Sequence, residues 1–317
     1  MSASTSPIPY TGNKSCIVKT ILDVMPQHDT YIEPCMGSAE VFFRKKPANL
    51  EILNDYNGDL VNLFRALQDN RKLVKIIGRL YLSVNAELLF RQNKELLSLT
   101  PNILDDLNET ENMLREASWG DIRNAAAFFE NQVYSFSSTG QTFGITRRDL
   151  THRFARLIAA CNRLRNATIL HRDYKAAITY GACENCFILL DPPYNGTEDC
   201  YPKTDFDSSQ HAVLFEFMSK IHEQFAGKCK FLITYNNDPY IRGLAEEHGF
   251  FTFVQSRLHN MRQASEAGAL FEELLIANYD LVAQAEDNNS TLFARTEQLS
   301  LFDHLNYDYL EETQNEF

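Results

Sequence analysis

An acidic residue followed by two prolines and a tyrosine is the strongest chemical signal in the chain. Asp191, Pro192, Pro193 and Tyr194 come directly after residues 187–190, an apolar run that predicts a buried strand. Open α/β sheets bind ligands at the carboxyl ends of their strands. Asp191 and the Pro192 carbonyl can accept both hydrogens of an exocyclic amine, while Tyr194 covers the ring that carries it. The alternative is a proline-stiffened turn that only caps a strand.

An exocyclic amine needs such acceptors because its lone pair is delocalised into the base, which makes it a poor nucleophile. Two acceptors stabilise a pyramidal nitrogen whose lone pair is free, and positioning against an electrophile supplies much of the remaining rate enhancement. The motif therefore indicates transfer of a group to the amino nitrogen of a planar base.

A second segment has the composition of a nucleotide-binding turn. Glu33 and Pro34 follow the short run 31–32, and small residues from Gly37 onward allow a ligand to approach the backbone closely. Asp55 comes twenty-two residues after Glu33, at the end of the next predicted strand. An acidic residue at this offset binds ribose hydroxyls in βαβ units. Either acidic residue could instead cap a helix.

A third segment, residues 9–15, precedes an amphipathic helical pattern near the amino terminus. It contains Tyr10, a glycine that permits a turn, and Lys14, which could reach a carboxylate on a ligand. The alternative is an ordinary start of an amino-terminal helix.

The elements that must position these residues form an α/β pattern. Short runs rich in Ile, Leu, Phe and Val alternate with helical stretches, which predicts a mostly parallel sheet covered by helices. The last two runs flank a polar loop and predict an antiparallel hairpin at one sheet edge. From Leu60 to Leu164 the pattern is helical, which predicts an inserted second domain, with a loop or hairpin at residues 134–145. The runs are residues 31–33, 51–54, 167–171, 187–190, 231–234, 251–254 and 273–278.

Composition limits the class of protein. The chain has 317 residues, of which 44% are hydrophobic and 23% charged, as expected of a soluble globular protein of about two domains. It lacks an apolar run long enough for a membrane helix, so we expect a cytoplasmic protein. Seven scattered cysteines favour reduced thiols. Cys183 and Cys186 have ligand-like spacing, but a second Cys or His pair does not follow, so we expect no metal site.

The charge distribution matters more than the net charge of −12, which alone argues against a nucleic-acid-binding protein. Residues 141–175 carry a net charge of +6, whereas residues 284–317 carry −7 and predict a flexible acidic tail. Clustered Arg and Lys side chains are expected of a phosphate-binding surface, although they could also form a solvated helix face.

The order and spacing of these motifs resemble those of the Dam-like (alpha-group) site-specific DNA adenine N6-methyltransferase family, over about residues 9–278. The resemblance includes Asn54 before Asp55, and the lysine motif lies ahead of the cofactor strand, as it does in that family. It implies a Rossmann-like class I methyltransferase sheet formed by residues 1–64 and 165–283. It also implies a mainly helical DNA-recognition insertion at residues 65–164, with double-stranded DNA as substrate.

The resemblance also implies roles for individual residues. S-adenosyl-L-methionine is the implied cofactor, and Asp173 and Tyr174 fit the segment that touches its adenine. Ala39 stands where family members commonly have a second glycine, and Ser135 stands where GATC-specific members carry an arginine for guanine, so a GATC target is not implied. The candidate cofactor contacts are Tyr10, Lys14, Glu33, Pro34, Gly37, Asp55, Asp173, Tyr174 and Asp191. The candidate DNA contacts are Ser135, Ser137, Arg147, Arg148 and Arg153.

The acidic tail contains an apolar cluster at residues 298–302. It resembles the short peptide by which bacterial replication and repair proteins bind the sliding clamp, with Gln298 as the polar anchor, next to Leu299, and with Leu301 and Phe302 filling an apolar pocket. The alternative is a last strand or helix that folds back on the domain.

Taken together, the motifs and the resemblance predict a bacterial, phage or mobile-element enzyme that flips an adenine out of duplex DNA and methylates N6. Base flipping is required because the target amine faces its partner inside the stack. We expect no metal, since the sulfonium already carries an activated methyl group, and a restriction–modification setting. Two alternatives stay open: a methyltransferase for RNA or for a cytosine amine, and a clamp-tethered DNA-binding accessory protein without catalysis.

Overall fold

A computed structural model describes residues 6–12, 14–98, 120–145, 149–197, 206–258 and 270–290 of the chain. Its described strands form a single seven-stranded sheet in the order β3-β2-β1-β4-β5-β7-β6. The strands are β1 (Thr30–Glu33), β2 (Leu50–Asn54), β3 (Thr168–Leu170), β4 (Cys186–Leu190), β5 (Lys230–Asn236), β6 (Phe251–Leu258) and β7 (Leu270–Ala277).

The sheet is parallel except at one strand. β1 pairs with β2 and β4, β2 with β3, and β4 with β5, all in parallel, whereas β7 runs antiparallel to both β5 and β6. Every residue of β1 and β4 is buried, as expected for central strands covered on both faces. The expected α/β class, the Rossmann-like mostly parallel sheet and the antiparallel edge hairpin are confirmed.

Short polar residues start many of the helices. The side chains of Asn57, Asp69, Asp173, Asp238 and Asp280 accept hydrogen bonds from backbone N–H groups in the first turn of the helix that follows each of them. The described helices are α1 (Val18–Asp23), α2 (Glu40–Arg44), α3 (Gly58–Gln68), α4 (Asn70–Tyr81), α5 (Glu87–Ser98), α6 (Gly120–Tyr134), α7 (Phe154–Leu164), α8 (Tyr174–Gly181), α9 (Gln210–Gln224), α10 (Pro239–Glu247) and α11 (Leu281–Asp287).

Two buried clusters cover the faces of the sheet. One joins side chains of α8, α9 and α10 to the sheet. The other contains Leu53 of the sheet together with Phe64 of α3, Phe129 of α6 and Leu157 of α7, so the helical insertion shares its core with the sheet. The domain boundary that we predicted between residues 64 and 65 falls inside α3, because this helix serves both parts.

An ion-pair cluster also attaches the insertion to the sheet. Glu51 of β2 accepts hydrogen bonds from Lys45 at 2.6 Å and from Arg163 of α7 at 2.7 Å. The Arg163 guanidinium lies 3.7 Å from the centroid of the Phe42 ring. Arg163 therefore fixes α7 against β2 and does not belong to the exposed basic surface that its sequence neighbours suggested.

The sequence led us to expect no membrane-spanning helix and reduced cysteine thiols. Within them, no helix combines the length and the apolar character that crossing a membrane would need. Cys16, Cys35, Cys161, Cys183 and the buried pair Cys186 and Cys229 are free thiols.

Candidate active site

A cavity of about 310 Å³ opens at the carboxyl edge of the sheet, where the loops after β1, β2, β3 and β4 meet. β1 and β4 are neighbours although the chain between them forms β2, β3 and the insertion, so the connections leave the sheet in opposite directions at this point. Open α/β sheets place their ligands at such a switch point. The predicted site residues that line the cavity are Tyr10, Lys14, Glu33, Pro34, Gly37, Asp55, Asp173, Tyr174, Asp191 and Pro193.

Asp191 follows β4 and is held by two partners. The Lys14 ammonium lies 2.5 Å from its Oδ2, and the Thr234 hydroxyl donates to its Oδ1 at 2.8 Å. Burial raises the pKa of Asp191, while the Lys14 ammonium and the two hydrogen bonds oppose that rise. We expected Lys14 to reach a carboxylate on a ligand, but the structure pairs it with a carboxylate of the protein, because its turn lies beside the end of β4. Lys14 also donates to the Gly12 carbonyl at 2.9 Å.

The rest of the proline motif is held against β5 and β7. Pro192 is buried, Pro193 lines the cavity and Tyr194 is half-buried. The Tyr194 hydroxyl donates to Glu273 Oε2 of β7 at 2.6 Å, and its ring centroid lies 5.8 Å from that of Tyr235. The Lys14 ammonium lies 4.9 Å from the Tyr194 ring centroid. These contacts fix the Tyr194 ring close to Asp191, although neither Pro192 nor Tyr194 is among the residues that line the cavity.

The turn after β1 is built around Asp55. Its Oδ2 accepts from the Gly37 N–H and its Oδ1 from the Asn57 N–H, both at 2.9 Å. Burial raises the pKa of Asp55 to about 6, although these hydrogen bonds oppose the rise. Gly37 has φ +47°, so the glycine allows the turn, and a Cβ there would make only an ordinary contact with the Tyr10 ring at 3.5 Å.

Ala39 departs from the usual glycine without breaking the turn. It adopts φ 51° and is fully buried ahead of α2. A left-handed conformation costs a residue with a Cβ roughly 1–2 kcal/mol. The substitution is tolerated at that cost, as expected for a small residue.

Glu33 and Asp173 have very different surroundings. Glu33 is 4% exposed and accepts from the Tyr31 hydroxyl at 2.8 Å. Burial raises the pKa of Glu33 to about 8, so its carboxyl group is mostly protonated at neutral pH. Asp173 is exposed and caps α8 by accepting from the Lys175 N–H at 2.9 Å, while the following Tyr174 is buried at the cavity wall.

Sequence reasoning used Asn54 only as part of a motif, but the structure gives it a larger role. Its fully buried side chain donates to the carbonyls of Pro34 at 2.8 Å and Arg172 at 2.9 Å, and accepts from the Arg172 N–H at 2.9 Å. Asn54 thereby ties the loops after β1, β2 and β3 together. Thr234 was missed altogether, although its place at the end of the strand beside β4 was a usable signal.

The insertion supplies the opposite wall of the cavity. Ser135 and Phe143 form an antiparallel bridge, which confirms the predicted loop or hairpin in this segment. The Thr11 hydroxyl donates to the Ser138 carbonyl at 3.2 Å and joins the hairpin to the amino-terminal turn. Asn131 and Gln132 of α6 are buried and also line the cavity.

These features match a known family. The model of the D12 class N6 adenine-specific DNA methyltransferases matches residues 10–261. The chain belongs to this family. Adenine N6-methyltransferases of the D12 class transfer a methyl group from S-adenosylmethionine to adenine in DNA, which confirms the predicted enzyme class and cofactor.

Several individual proteins are similar to this D12 methyltransferase. It is 24% identical over 266 residues to the DNA N-6-adenine-methyltransferase of Escherichia phage P1. The aligned stretch covers 76% of this chain and 31% of the phage protein. It is 25% identical over 280 residues to type II methyltransferase M.CviBI of Paramecium bursaria Chlorella virus NC1A, with coverage of 86% and 98%. It is 30% identical over 70 residues to type II methyltransferase M1.LlaDCHI of Lactococcus lactis subsp. cremoris, with coverage of 22% and 24%. The chain thus spans about a third of the phage protein and nearly all of the viral one.

The residues of the cavity fit S-adenosylmethionine. Asp55 offers carboxylate oxygens at the ribose offset, Asp173 an exposed carboxylate, and Tyr10 an aromatic face beside Gly37. Asn131 and Gln132 of α6 add two side-chain amides to the lining, and their buried oxygens Oδ1 and Oε1 have no hydrogen-bond partner among the described residues.

The structure describes only some of the predicted DNA contacts of the D12 methyltransferase. Ser135 is fully buried, and its hydroxyl accepts from the Gly140 N–H at 2.9 Å and donates to the Gln132 carbonyl at 3.2 Å. Both hydrogen-bonding capacities of its hydroxyl are therefore used within the hairpin, which sequence alone could not show. Arg153 is half-buried at the start of α7. The Ser137 side chain, Arg147, Arg148 and the tail motif with Gln298, Leu299, Leu301 and Phe302 lie outside the described residues.

Proposed function

We propose that this D12 methyltransferase flips an adenine out of duplex DNA and methylates its N6 at the Asp191 end of the cavity. The observation that supports this most is the placement of Asp191 and Asp55 in one cavity, at the ends of β4 and β2. A carboxylate for the target amine thus lies in the same cavity as a carboxylate for the cofactor ribose.

Asp55, Asp173 and Tyr10 bind the cofactor in this proposal. Asp55 takes the ribose hydroxyls, because its two backbone donors leave lone pairs on both oxygens. Asp173 lies where it can accept from the cofactor adenine amine, with Tyr174 in the cavity wall beside it. S-adenosylmethionine, when bound, supplies a methyl group activated by its sulfonium. Glu33, Pro34 and Gly37 shape the turn on which it rests.

Asp191 and the Pro192 carbonyl accept the two hydrogens of the target amine, and Tyr194 packs on the flipped ring. Lys14 favours the ionised form of Asp191, since a nearby cation opposes the effect of burial on the pKa. The Lys14 ammonium and the target amine compete for Oδ2, while Thr234 retains Oδ1. Asp191 need not be a strong base, because the amine proton becomes acidic once nitrogen is alkylated.

The insertion and its basic residues bind the DNA in this proposal. Arg147, Arg148 and Arg153 bind phosphates in this proposal, and Ser137 lies in the hairpin that reaches the duplex. Phosphate contacts place the protein on the duplex but carry no sequence information. The names of the two type II relatives support a restriction–modification setting, and a phage or bacterial source supports action in the cytoplasm.

Tritiated methyl transfer tests the chemistry and its rivals. We expect label in N6-methyladenine of duplex DNA with the wild-type enzyme, none with Asp191→Ala, and wild-type levels with Asp287→Asn, an exposed carboxylate on α11. Label confined to RNA or to cytosine would replace this proposal with one of the two other substrates. Absence of label in any nucleic acid would support a non-catalytic accessory protein.

We further propose that the tail binds the bacterial sliding clamp. Residues 298–302 lie beyond the family match at residues 10–261, so the proposal depends on the motif itself: Gln298 as anchor, Leu299, and the apolar pair Leu301 and Phe302. Replacing that pair with alanine should abolish binding to the purified clamp in a pull-down or by surface plasmon resonance. Methylation of short duplexes should stay the same. Unaltered clamp binding would remove the tether.

A further inference from the structure

A buried carboxylate on β7 lies at the edge of the sheet that carries Asp191. β7 runs antiparallel to β5, so the first residues of β7, and not its last, lie beside the carboxyl end of β5. Glu273 stands opposite Asn236, the last residue of β5. It is 4% exposed, and its Oε2 accepts from the Tyr194 hydroxyl at 2.6 Å. The proposed mechanism uses Tyr194 but gives Glu273 no role.

A carboxylate is a costly partner for a tyrosine hydroxyl in the interior of a protein. Taking a charge out of water requires compensation that a neutral acceptor does not need. A hydrogen bond to a carboxylate is, however, shorter and stronger than one to a neutral acceptor. Glu273 therefore suits a hydroxyl whose direction has to be held firmly, and a neutral acceptor would be enough for one that only has to be satisfied.

The hydrogen bond acts at the end of the Tyr194 ring that is farthest from the backbone. Tyr194 comes four residues after β4 and belongs to no strand or helix, so its side chain depends on other contacts for its orientation. The backbone holds one end of the ring and Glu273 holds the other. The ring of the buried Tyr235, with its centroid 5.8 Å away, limits rotation about the line between these two ends. Together these contacts define the plane of the Tyr194 ring.

We infer that Glu273 is a positioning residue, which holds Tyr194 in the orientation in which the flipped adenine packs on its ring. This inference rests on the proposed function, because it assumes that Tyr194 packs on the target base. Tyr194 is half-buried, so part of the residue is accessible. A ring that is already fixed loses no further conformational freedom when the base arrives, and the methylation step benefits from that preorganisation.

Glu273 also acts on Asp191 through its charge. After burial, which is the largest cause, the negative charge of Glu273 raises the pKa of Asp191, whereas the Lys14 ammonium lowers it. Glu273→Gln removes the charge but keeps an oxygen that can accept from Tyr194, so it separates this electrostatic effect from positioning. The charged and titratable groups that interact with Asp191 include Lys14, Glu33, Cys35, Asp55 and Glu273.

Single-turnover methylation of a duplex that the wild type methylates tests the role of Glu273. Glu273→Leu and Tyr194→Phe should each lower the rate at saturating DNA about tenfold, the factor that corresponds to losing one hydrogen bond to a charged group. The double variant should lose no more than either single variant, because both changes remove the same bond. Glu273→Gln should keep most of the wild-type rate, and the acid limb of its pH–rate profile should move to lower pH.

Glu272→Gln is the matched control. Glu272 precedes Glu273 on β7, so its side chain points to the opposite face of the sheet, where it accepts from the Asn237 side chain. This change should leave both the rate and the acid limb at their wild-type values. Calorimetric binding of S-adenosylhomocysteine should be the same in all variants, because neither Glu273 nor Tyr194 is among the described residues that line the cavity.

The outcomes separate the inference from the function on which it rests. Wild-type protein that methylates no DNA would remove the proposed function. A wild type that methylates DNA, together with a Glu273→Leu variant of unchanged rate, would overturn the positioning role alone. Additive losses in the double variant, or weakened S-adenosylhomocysteine binding by Glu273→Leu, would indicate a structural role and would also overturn it.

The conservative variant keeps the inference testable should Glu273→Leu fail to fold. Because Glu273→Gln still offers an acceptor to the Tyr194 hydroxyl, a rate as low as that of Tyr194→Phe would overturn the positioning role. An acid limb of Glu273→Gln that stayed in place would overturn the electrostatic effect on Asp191.

Discussion

The hydroxyl of Thr234 gives the most direct test of how this site controls Asp191. Thr234 is fully buried on β5 and donates to Asp191 Oδ1 at 2.8 Å, on the side away from Lys14. Thr234→Val replaces the hydroxyl with a methyl group of similar size. The carboxylate then keeps its ion pair but loses one hydrogen bond.

The size of the effect follows from that bond. A hydrogen bond to a charged group contributes about 1.5–3 kcal/mol, and we take the lower end because the Asp191 side chain is 23% exposed. Since about 1.4 kcal/mol equals one pKa unit, the variant should raise the pKa of Asp191 by about one further unit. The ionised form of Asp191 is the stronger acceptor for the target amine in the proposed mechanism. The acid limb of the pH–rate profile should therefore move about one unit to higher pH, with the plateau above it little changed.

Single-turnover methylation of a duplex, measured from acid to neutral pH, reports the chemical step without product release. Thr252→Val, on the exposed edge strand β6, is the matched control and should keep the wild-type profile. If the acid limb of Thr234→Val coincided with the wild type, or moved to lower pH, Asp191 would not be the ionising group that limits the reaction.

Three further substitutions test the burial of Glu33, the ion pairs of Glu51 and the packing around Gly181. Glu33 has a folded-state pKa of about 8 against an ordinary value of 4.5, so the folded state holds the extra proton and stability falls as pH rises between these values. In urea titrations, the unfolding free energy of Glu33→Gln should rise relative to that of the wild type by up to about 1.4 kcal/mol per pH unit over this range. Parallel curves of unfolding free energy against pH for the two proteins would contradict the raised pKa. Glu51→Gln leaves the buried Lys45 and the half-buried Arg163 without their carboxylate and should cost about 3–5 kcal/mol of unfolding free energy, against almost nothing for the exposed ion-pair variant Glu216→Gln. Gly181→Ala drives a Cβ into Ile52 and should cost about 1–3 kcal/mol; a wild-type midpoint would show that the core can relax there.

Local sequence signals predicted the carboxyl edge of the sheet well. Asp191 and Asp55 each follow a short apolar run, and any parallel arrangement of those strands brings their carboxyl ends to one edge. The antiparallel hairpin was also readable, because the polar loop between its strands lacks a helical period. These predictions depended on periodicity and order along the chain, which the sequence states directly.

Contacts between distant segments were not predictable in the same way. The pairing of Lys14 with Asp191 joins residues 177 positions apart, and neither motif names the other as its partner. The domain boundary was drawn inside α3 because the helical period continues without a break from the sheet into the insertion. Ser135 was assigned to DNA by position, whereas its burial depends on how the hairpin closes over it.

The division of charge between neighbouring carboxyl groups explains why this edge can present one strong acceptor. Glu33 ends β1 and Asp191 follows the adjacent strand β4, and after burial the negative charge of Asp191 further raises the pKa of Glu33. Asp191 is paired with an ammonium group and a hydroxyl, whereas Glu33 accepts from a tyrosine hydroxyl and the Lys45 charge only partly opposes the rise in its pKa. When the environments of two acids give them different pKa values, the two acids can take different roles. Glu33 therefore mostly holds a proton at neutral pH, whereas the Lys14 ammonium and the Thr234 hydroxyl favour the ionised form of Asp191, the acceptor in the proposed mechanism.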